Sequence, residues 1–125
     1  MAKKFRVLYV EDESIAAMLM EMELKKIGYE TAPHVATGEE AIESVRLNRP
    51  DIVLMDIRLA GTLDGIETAT LIKAETNTPI IFLSGYQDQE MSKRAWGLSP
   101  VDYLTKPVEM AVLDSIIRRY LEPCC

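Results

Sequence analysis

The chain is patterned as a doubly wound α/β fold, a five-stranded parallel sheet with helices on both faces, and three observations predict it. Short apolar runs at residues 7–10, 52–55 and 80–83 alternate with longer segments of helical period. That alternation is the signature of repeated βα units and a parallel sheet. The runs at 52–55 and 80–83 are apolar throughout, as strands buried on both faces are. All three runs end in polar chemistry: Glu11-Asp12-Glu13, Asp56 and Ser84.

The totals agree. The 125 residues, 48% hydrophobic and 27% charged, suit one globular domain over 1–125 with a sizeable core. The net charge of −6 disfavours a nucleic-acid surface and an acidic membrane surface. No apolar stretch is long enough to span a bilayer, and no secretion signal follows the basic Met1-Ala2-Lys3-Lys4. A cytoplasmic protein is expected. Cys124 and Cys125 are adjacent, so they cannot staple a fold, and they are too few for a zinc site. They read as an exposed tail.

Strand one covers about 5–10. A helix over 14–27 follows, with Ala17, Met20, Leu24 and Ile27 at helical spacing and Ile15, Leu19 and Met22 widening the stripe. Seven methionines, four of them by position 22, read as flexible core filler rather than metal ligands. Gly28 ends this helix.

Strand two, about 29–35, contains Pro33, which cannot donate to a ladder and so belongs at a sheet edge. His34, the only histidine, has no second His or Cys nearby and reads as an ordinary strand residue. Thr37-Gly38-Glu39-Glu40 is a capping box for a helix to about Asn48, with Ala41, Ile42 and Val45 inward.

Strand three runs into Asp56. A loop over 57–63 follows, and Asp64-Gly65-Ile66-Glu67 caps a helix to about Thr76. Strand four is 80–83. Asp88 is placed to cap a helix through Ala95. Strand five, about 101–104, carries Asp102 and is less buried. A last helix over 109–121 places Leu113, Ile116, Ile117 and Tyr120 in register.

Edge signals fall on strands two and five, so right-handed crossovers favour the order 2-1-3-4-5. The winding then reverses beside strand one. Ligands of open α/β sheets bind in that crevice, at the carboxyl ends of strands one and three. Asp12 and Asp56 stand at those ends. Glu11, Asp12 and Asp56 together would repel, and a divalent cation resolves this. Hard oxygen donors suit Mg²⁺. Lys106 reaches the same edge as a point charge, and Ser84 offers a hydroxyl. A carboxylate nucleophile, a cation site, a lysine and a hydroxyl can hold a phosphoryl group. Asp56, ending the most central strand, is the candidate nucleophile.

Residues 10–13 (VEDE), 54–58 (LMDIR), 64–67 (DGIE), 83–84 (LS) and 103–107 (YLTKP) resemble the receiver domain of two-component response regulators over essentially the whole chain. The resemblance implies a flavodoxin-like (βα)5 three-layer sandwich. It implies a phosphoacceptor role for Asp56, with the phosphoryl group coming from a sensor histidine kinase or a phosphotransfer protein. It implies Mg²⁺, with Mn²⁺ as a substitute, on Asp12, Asp56 and the backbone carbonyl of Arg58, with Glu11 acting directly or through water. Ser84 would bond a phosphoryl oxygen, Lys106 would pair with the phosphate, and Tyr103 would be the switch aromatic. The Lys106-Pro107 bond is expected to be cis. The chain departs from the family at Glu11, where Asp is usual, and at Ser84, where Thr is commoner. The loop after Asp56 also departs: it lacks the usual proline and holds one extra residue.

Three readings follow. The first is a phosphorylation-switched signalling module, not a turnover enzyme. The second is an interaction scaffold that works unphosphorylated. The third is a phosphohydrolase resembling haloacid dehalogenases, which Arg58 disfavours because it stands where an acid/base Asp is required. The resemblance places an output contact, and a homodimer contact, on helix four, strand five and helix five. Arg94, Trp96, Arg118 and Arg119 are assigned to it. No helix-turn-helix follows the last helix in this sequence, so no direct nucleic-acid contact is expected. A stand-alone receiver and a piece of a larger protein both remain open.

Overall fold

The computed structural model describes residues 4–85 and 89–122. Five strands and five helices alternate. They are β1 (Arg6–Val10), α1 (Ser14–Lys26), β2 (Glu30–Thr31), α2 (Gly38–Asn48), β3 (Ile52–Asp56), α3 (Gly65–Glu75), β4 (Ile80–Ser84), α4 (Gln89–Trp96), β5 (Asp102–Thr105) and α5 (Met110–Leu121). The strands pair in parallel in the order β2-β1-β3-β4-β5, as the edge signals require.

Strand alternation splits the core in two. Leu8, Val10, Val53, Met55, Ile80 and Phe82 face α2, α3 and α4. Val7, Tyr9, Ile52, Leu54, Ile81 and Leu83 face α1 and α5. Every residue of β3 and β4 is buried, which is why both read as unbroken apolar runs. β2 is only two residues long at the sheet edge, and Val35 beyond it makes a single bridge to Val10. Pro33 stands between them and cuts short the seven-residue strand expected there.

Local signals match at most helix ends. Thr37 Oγ1 accepts from the Glu40 N–H, and Asp64 and Glu67 close a reciprocal capping box. Gly28 has φ +102°, the left-handed region that favours glycine beyond a helix end. The Lys106-Pro107 bond is cis. The expected cap at Asp88 and the terminal Cys124 and Cys125 lie outside the described residues.

Three expectations are corrected. Ile15, Leu19 and Met22 do not widen a buried stripe. They are exposed, Ile15 at 73%, and so is Met18. α1 lies against one face of the sheet and no described residue covers its far side, so only Ala17, Leu24 and partly Met20 and Ile27 reach the core. The early methionines are therefore not core filler as a group. Tyr120 is 52% exposed, because α5 buries only Leu113 and Ile117 fully. Arg118 does not face α4. Its guanidinium stacks 4.9 Å from the Tyr29 ring centroid and donates to Asp114 and to the Ile27 carbonyl, between α5 and the end of α1.

Candidate functional site

The carboxyl ends of β1, β3, β4 and β5 deliver the polar residues to one edge. Parity decides which of them meet. Tyr9 and Leu54 point toward α1 and α5, and two residues further along each chain so do Glu11 and Asp56. Leu104 does the same, and Lys106 follows it. Ser84 belongs to the opposite parity, in line with Ile80 and Phe82.

The result is a salt-bridged cluster. Lys106 Nζ donates to Glu11 Oε1 at 2.8 Å and to Asp56 Oδ2 at 2.9 Å. Glu11 also accepts from the Tyr9 hydroxyl at 2.9 Å and from the Glu13 N–H at 3.2 Å. Asp56 Oδ1 accepts from the Arg58 N–H at 3.0 Å. Glu11 and Asp56 are buried, while Asp12 is exposed. Backbone bonds align the edge: Ile57 N–H to Leu83 O, Lys106 N–H to Ser84 O, and Glu11 N–H to Val35 O.

Burial and bonding pull the titrations of the two buried acids in opposite directions. Burial raises the Asp56 carboxyl above its ordinary value, and the Glu11 charge adds to that, against the pull of Lys106. Burial acts upward on Glu11 too, but the bonds from Lys106, Tyr9 and the Glu13 N–H outweigh it and bring its carboxyl down. Burial lowers the Lys106 ammonium, yet the two carboxylates overcome this and raise it. The three groups are in contact and titrate as a set.

Carboxylate oxygens of Glu11, Asp12 and Asp56 lie within 4.8 Å of one another. This all-oxygen, multiply charged set fits a hard divalent cation. Ser84 is buried at the end of β4. Tyr103 is half-buried against the core beneath α4, and its hydroxyl is buried with no hydrogen-bond partner among the described residues.

Two residues were not assigned to the site from sequence. Tyr9 carries the hydroxyl that meets Glu11. Its signal is a lone polar atom in an apolar strand, two residues before a carboxylate. In the sequence, Gly65 is legible only as part of the α3 cap. A Cβ there would collide with the Asp56 carbonyl oxygen, and its N–H bonds Ile57 O at 2.8 Å. The return of the loop over 57–64 against the strand end thus needs glycine.

A parallel sheet of this order with an acid–lysine cluster at its switch point defines a doubly wound α/β domain with an acidic site at the carboxyl edge of its sheet. The comparisons define the family. Residues 7–118 match the response regulator receiver domain, and the chain belongs to that family. It is 33% identical over 108 residues to the transcriptional regulatory protein PdtaR of Mycobacterium tuberculosis, covering 86% of this chain and 52% of that protein. It is 31% identical to the transcriptional regulatory protein YvrH of Bacillus subtilis, covering 93% and 48%. The chain thus spans about half the length of these curated relatives.

Among solved structures, a signal receiver domain of a modulated diguanylate cyclase from Desulfovibrio desulfuricans G20 matches with TM-score 0.87 and 41% identity. That match covers 93% of this chain and 92% of that one. The receiver domain of sensor histidine kinase PA1611 from Pseudomonas aeruginosa PAO1 matches with TM-score 0.84 and 33% identity, covering 95% and 98%. That structure has a magnesium ion coordinated in its active-site cleft. No described helix of the present chain is long and apolar enough to cross a membrane.

Proposed function

We propose that Asp56 accepts a phosphoryl group from a histidine kinase or a phosphotransfer protein, and that the modified domain switches a protein-interaction surface. The observation that carries this reading is the Glu11–Lys106–Asp56 cluster at the switch point. In the transfer, the P–N bond of a phosphohistidine breaks, a P–O bond to an Asp56 oxygen forms, and the imidazole leaves with the electron pair. The ionised carboxylate is the attacking form. Lys106 holds it and is placed to stay with the phosphate afterwards.

Glu11, Asp12 and Asp56, with the Arg58 carbonyl, would hold Mg²⁺, with Mn²⁺ as a substitute. The cation supplies charge neutralisation for the phosphoryl oxygens. Ser84 is the hydroxyl on the phosphate's other side, and Tyr103, on the same sheet face, is the aromatic whose position reports that contact.

The phosphodonor needs a surface beside Asp56. A groove of about 590 Å³ opens next to Lys106, lined by Leu19, Met20, Pro107, Val108 and Met110. The exposed Ile15, Met18 and Met22 extend its apolar character along α1. Apolar patches of this kind mark protein contacts, and a helical phosphodonor covering it would bring its histidine to the site. We place the output contact, and any homodimer contact, on α4, β5 and α5. Trp96 and Tyr120 are exposed there, and Arg119 stands by Val101 and Asp102.

Incubation with acetyl phosphate or phosphoramidate and Mg²⁺, read by intact mass, tests the reading. One phosphoryl mass is expected on the chain and none on Asp56→Asn. A phosphorylated Asp56→Asn chain would refute the site. Steady turnover of a simple phosphate ester would make the protein a hydrolase.

A further inference from the structure

We infer that Tyr9 is a positioning residue of this site: its hydroxyl holds Glu11 so that one carboxylate oxygen serves Lys106 and the other faces the cation site. The inference rests on the phosphoacceptor reading above. Tyr9 is buried in the core beneath α1, in a strand whose other buried residues, Val7, Leu8 and Val10, carry no polar side-chain atom. Phenylalanine would fill that space with nothing to satisfy. The hydroxyl instead points up the strand to Glu11 Oε1 at 2.9 Å.

That oxygen also accepts from Lys106 Nζ at 2.8 Å, while among the described residues Oε2 accepts one N–H, from Glu13. A carboxylate oxygen has two lone-pair sites. The two donors therefore occupy Oε1, and Oε2 keeps one site open. Glu11 is one of the three acids whose oxygens converge within 4.8 Å. Glutamate has one more rotatable bond than aspartate, and that freedom costs entropy to freeze. The Tyr9 hydroxyl and Lys106 grip the same oxygen from two elements, β1 and the turn after β5, and so orient the longer side chain. Partners of this outer kind orient metal ligands generally.

Calorimetric titration of MgCl₂ into the wild-type chain, Tyr9→Phe and the double variant Tyr9→Phe/Glu11→Asp tests this, with melting in EDTA as the fold control. Mg²⁺ affinity should fall about 10-fold in Tyr9→Phe, the low end for loss of an outer partner. The double variant should recover most of the loss, because the shorter acid has less freedom to restrain. With acetyl phosphate, Tyr9→Phe should raise the half-saturating Mg²⁺ concentration more than it lowers the rate at saturation. A folded Tyr9→Phe chain with unchanged affinity would overturn the inference. So would a loss that Glu11→Asp does not recover, which would be a packing effect, or a Tyr9→Phe chain that fails to fold. A wild-type chain that binds no Mg²⁺ would instead remove the phosphoacceptor reading, and the inference with it.

Discussion

The Lys106 ammonium stands 2.9 Å from the Asp56 carboxylate, fifty residues away in the chain, and 2.8 Å from Glu11. One cation thus compensates two buried acids. The contact organises the site and sets its energetics.

Replacing Lys106 with Met would leave Glu11 and Asp56 facing each other without a cation. Breaking a fully buried pair costs about 3–5 kcal/mol. The Lys106 side chain is 31% exposed, so solvent screening reduces the expected loss to about 1–2 kcal/mol at pH 7. The two acids would then titrate upward, and the loss should shrink toward pH 4 as they take up protons. Urea denaturation in EDTA at the two pH values checks this. The native contribution of Lys106 is present below its ordinary pKa of 10.5 and is lost as pH rises through its raised folded value.

Asp56→Asn should stabilise the metal-free protein. Burial raises the Asp56 carboxyl above its ordinary 3.8, so the fold disfavours the charged form. Its penalty is present at neutral pH and disappears as pH falls through the folded value toward 3.8. Asparagine removes the charge, and Lys106 keeps Glu11. A gain of about 1 kcal/mol at pH 7 is expected, vanishing in acid, as befits a site where function opposes stability. Thermal melts against pH measure it.

Gly65→Ala should cost about 1–3 kcal/mol, because its Cβ would strike the Asp56 carbonyl, which is backbone and cannot step aside. Phosphoryl uptake from acetyl phosphate should fall with it, since the loop and the nucleophile shift together. Gly85→Ala is the control. Beyond its chain neighbours, no atom of the described residues lies within 4 Å of where a Cβ would stand at Gly85, and stability should stay within about 0.5 kcal/mol. Chemical denaturation and intact mass read both.

Arg118→Ala should destabilise the chain by about 1–2 kcal/mol through the lost Tyr29 stacking and the bonds to Asp114 and Ile27. Self-association should not change, because Arg118 ties α5 to α1 and faces away from α4. Sedimentation of the variant beside an Arg119→Glu chain separates the two arginines.

Much of the architecture is legible in the residues. The unbroken apolar runs of β3 and β4 placed them centrally, and Pro33 placed β2 at an edge. Helix caps at Thr37 and Asp64 were legible because their signals are local. The exposed side of α1 was not. Ile15, Leu19 and Met22 are as apolar as Leu24, and periodicity alone does not say which side of a helix has a sheet beneath it. Arg118 and Arg119 are neighbours in sequence, yet a 100° turn of helix sends them to different surfaces.

Strand order and the chemistry gathered at one edge follow from the residues alone, because burial on both faces and strand termination are written in short, contiguous patterns. How those groups pair emerges only in the packed fold. The partition of Lys106 between Glu11 and Asp56, the bond from Tyr9, and the pressure of Gly65 on the Asp56 backbone depend on side-chain parity and register across separate strands. Distances of a few tenths of an ångström decide such bonds, and a linear sequence does not contain them.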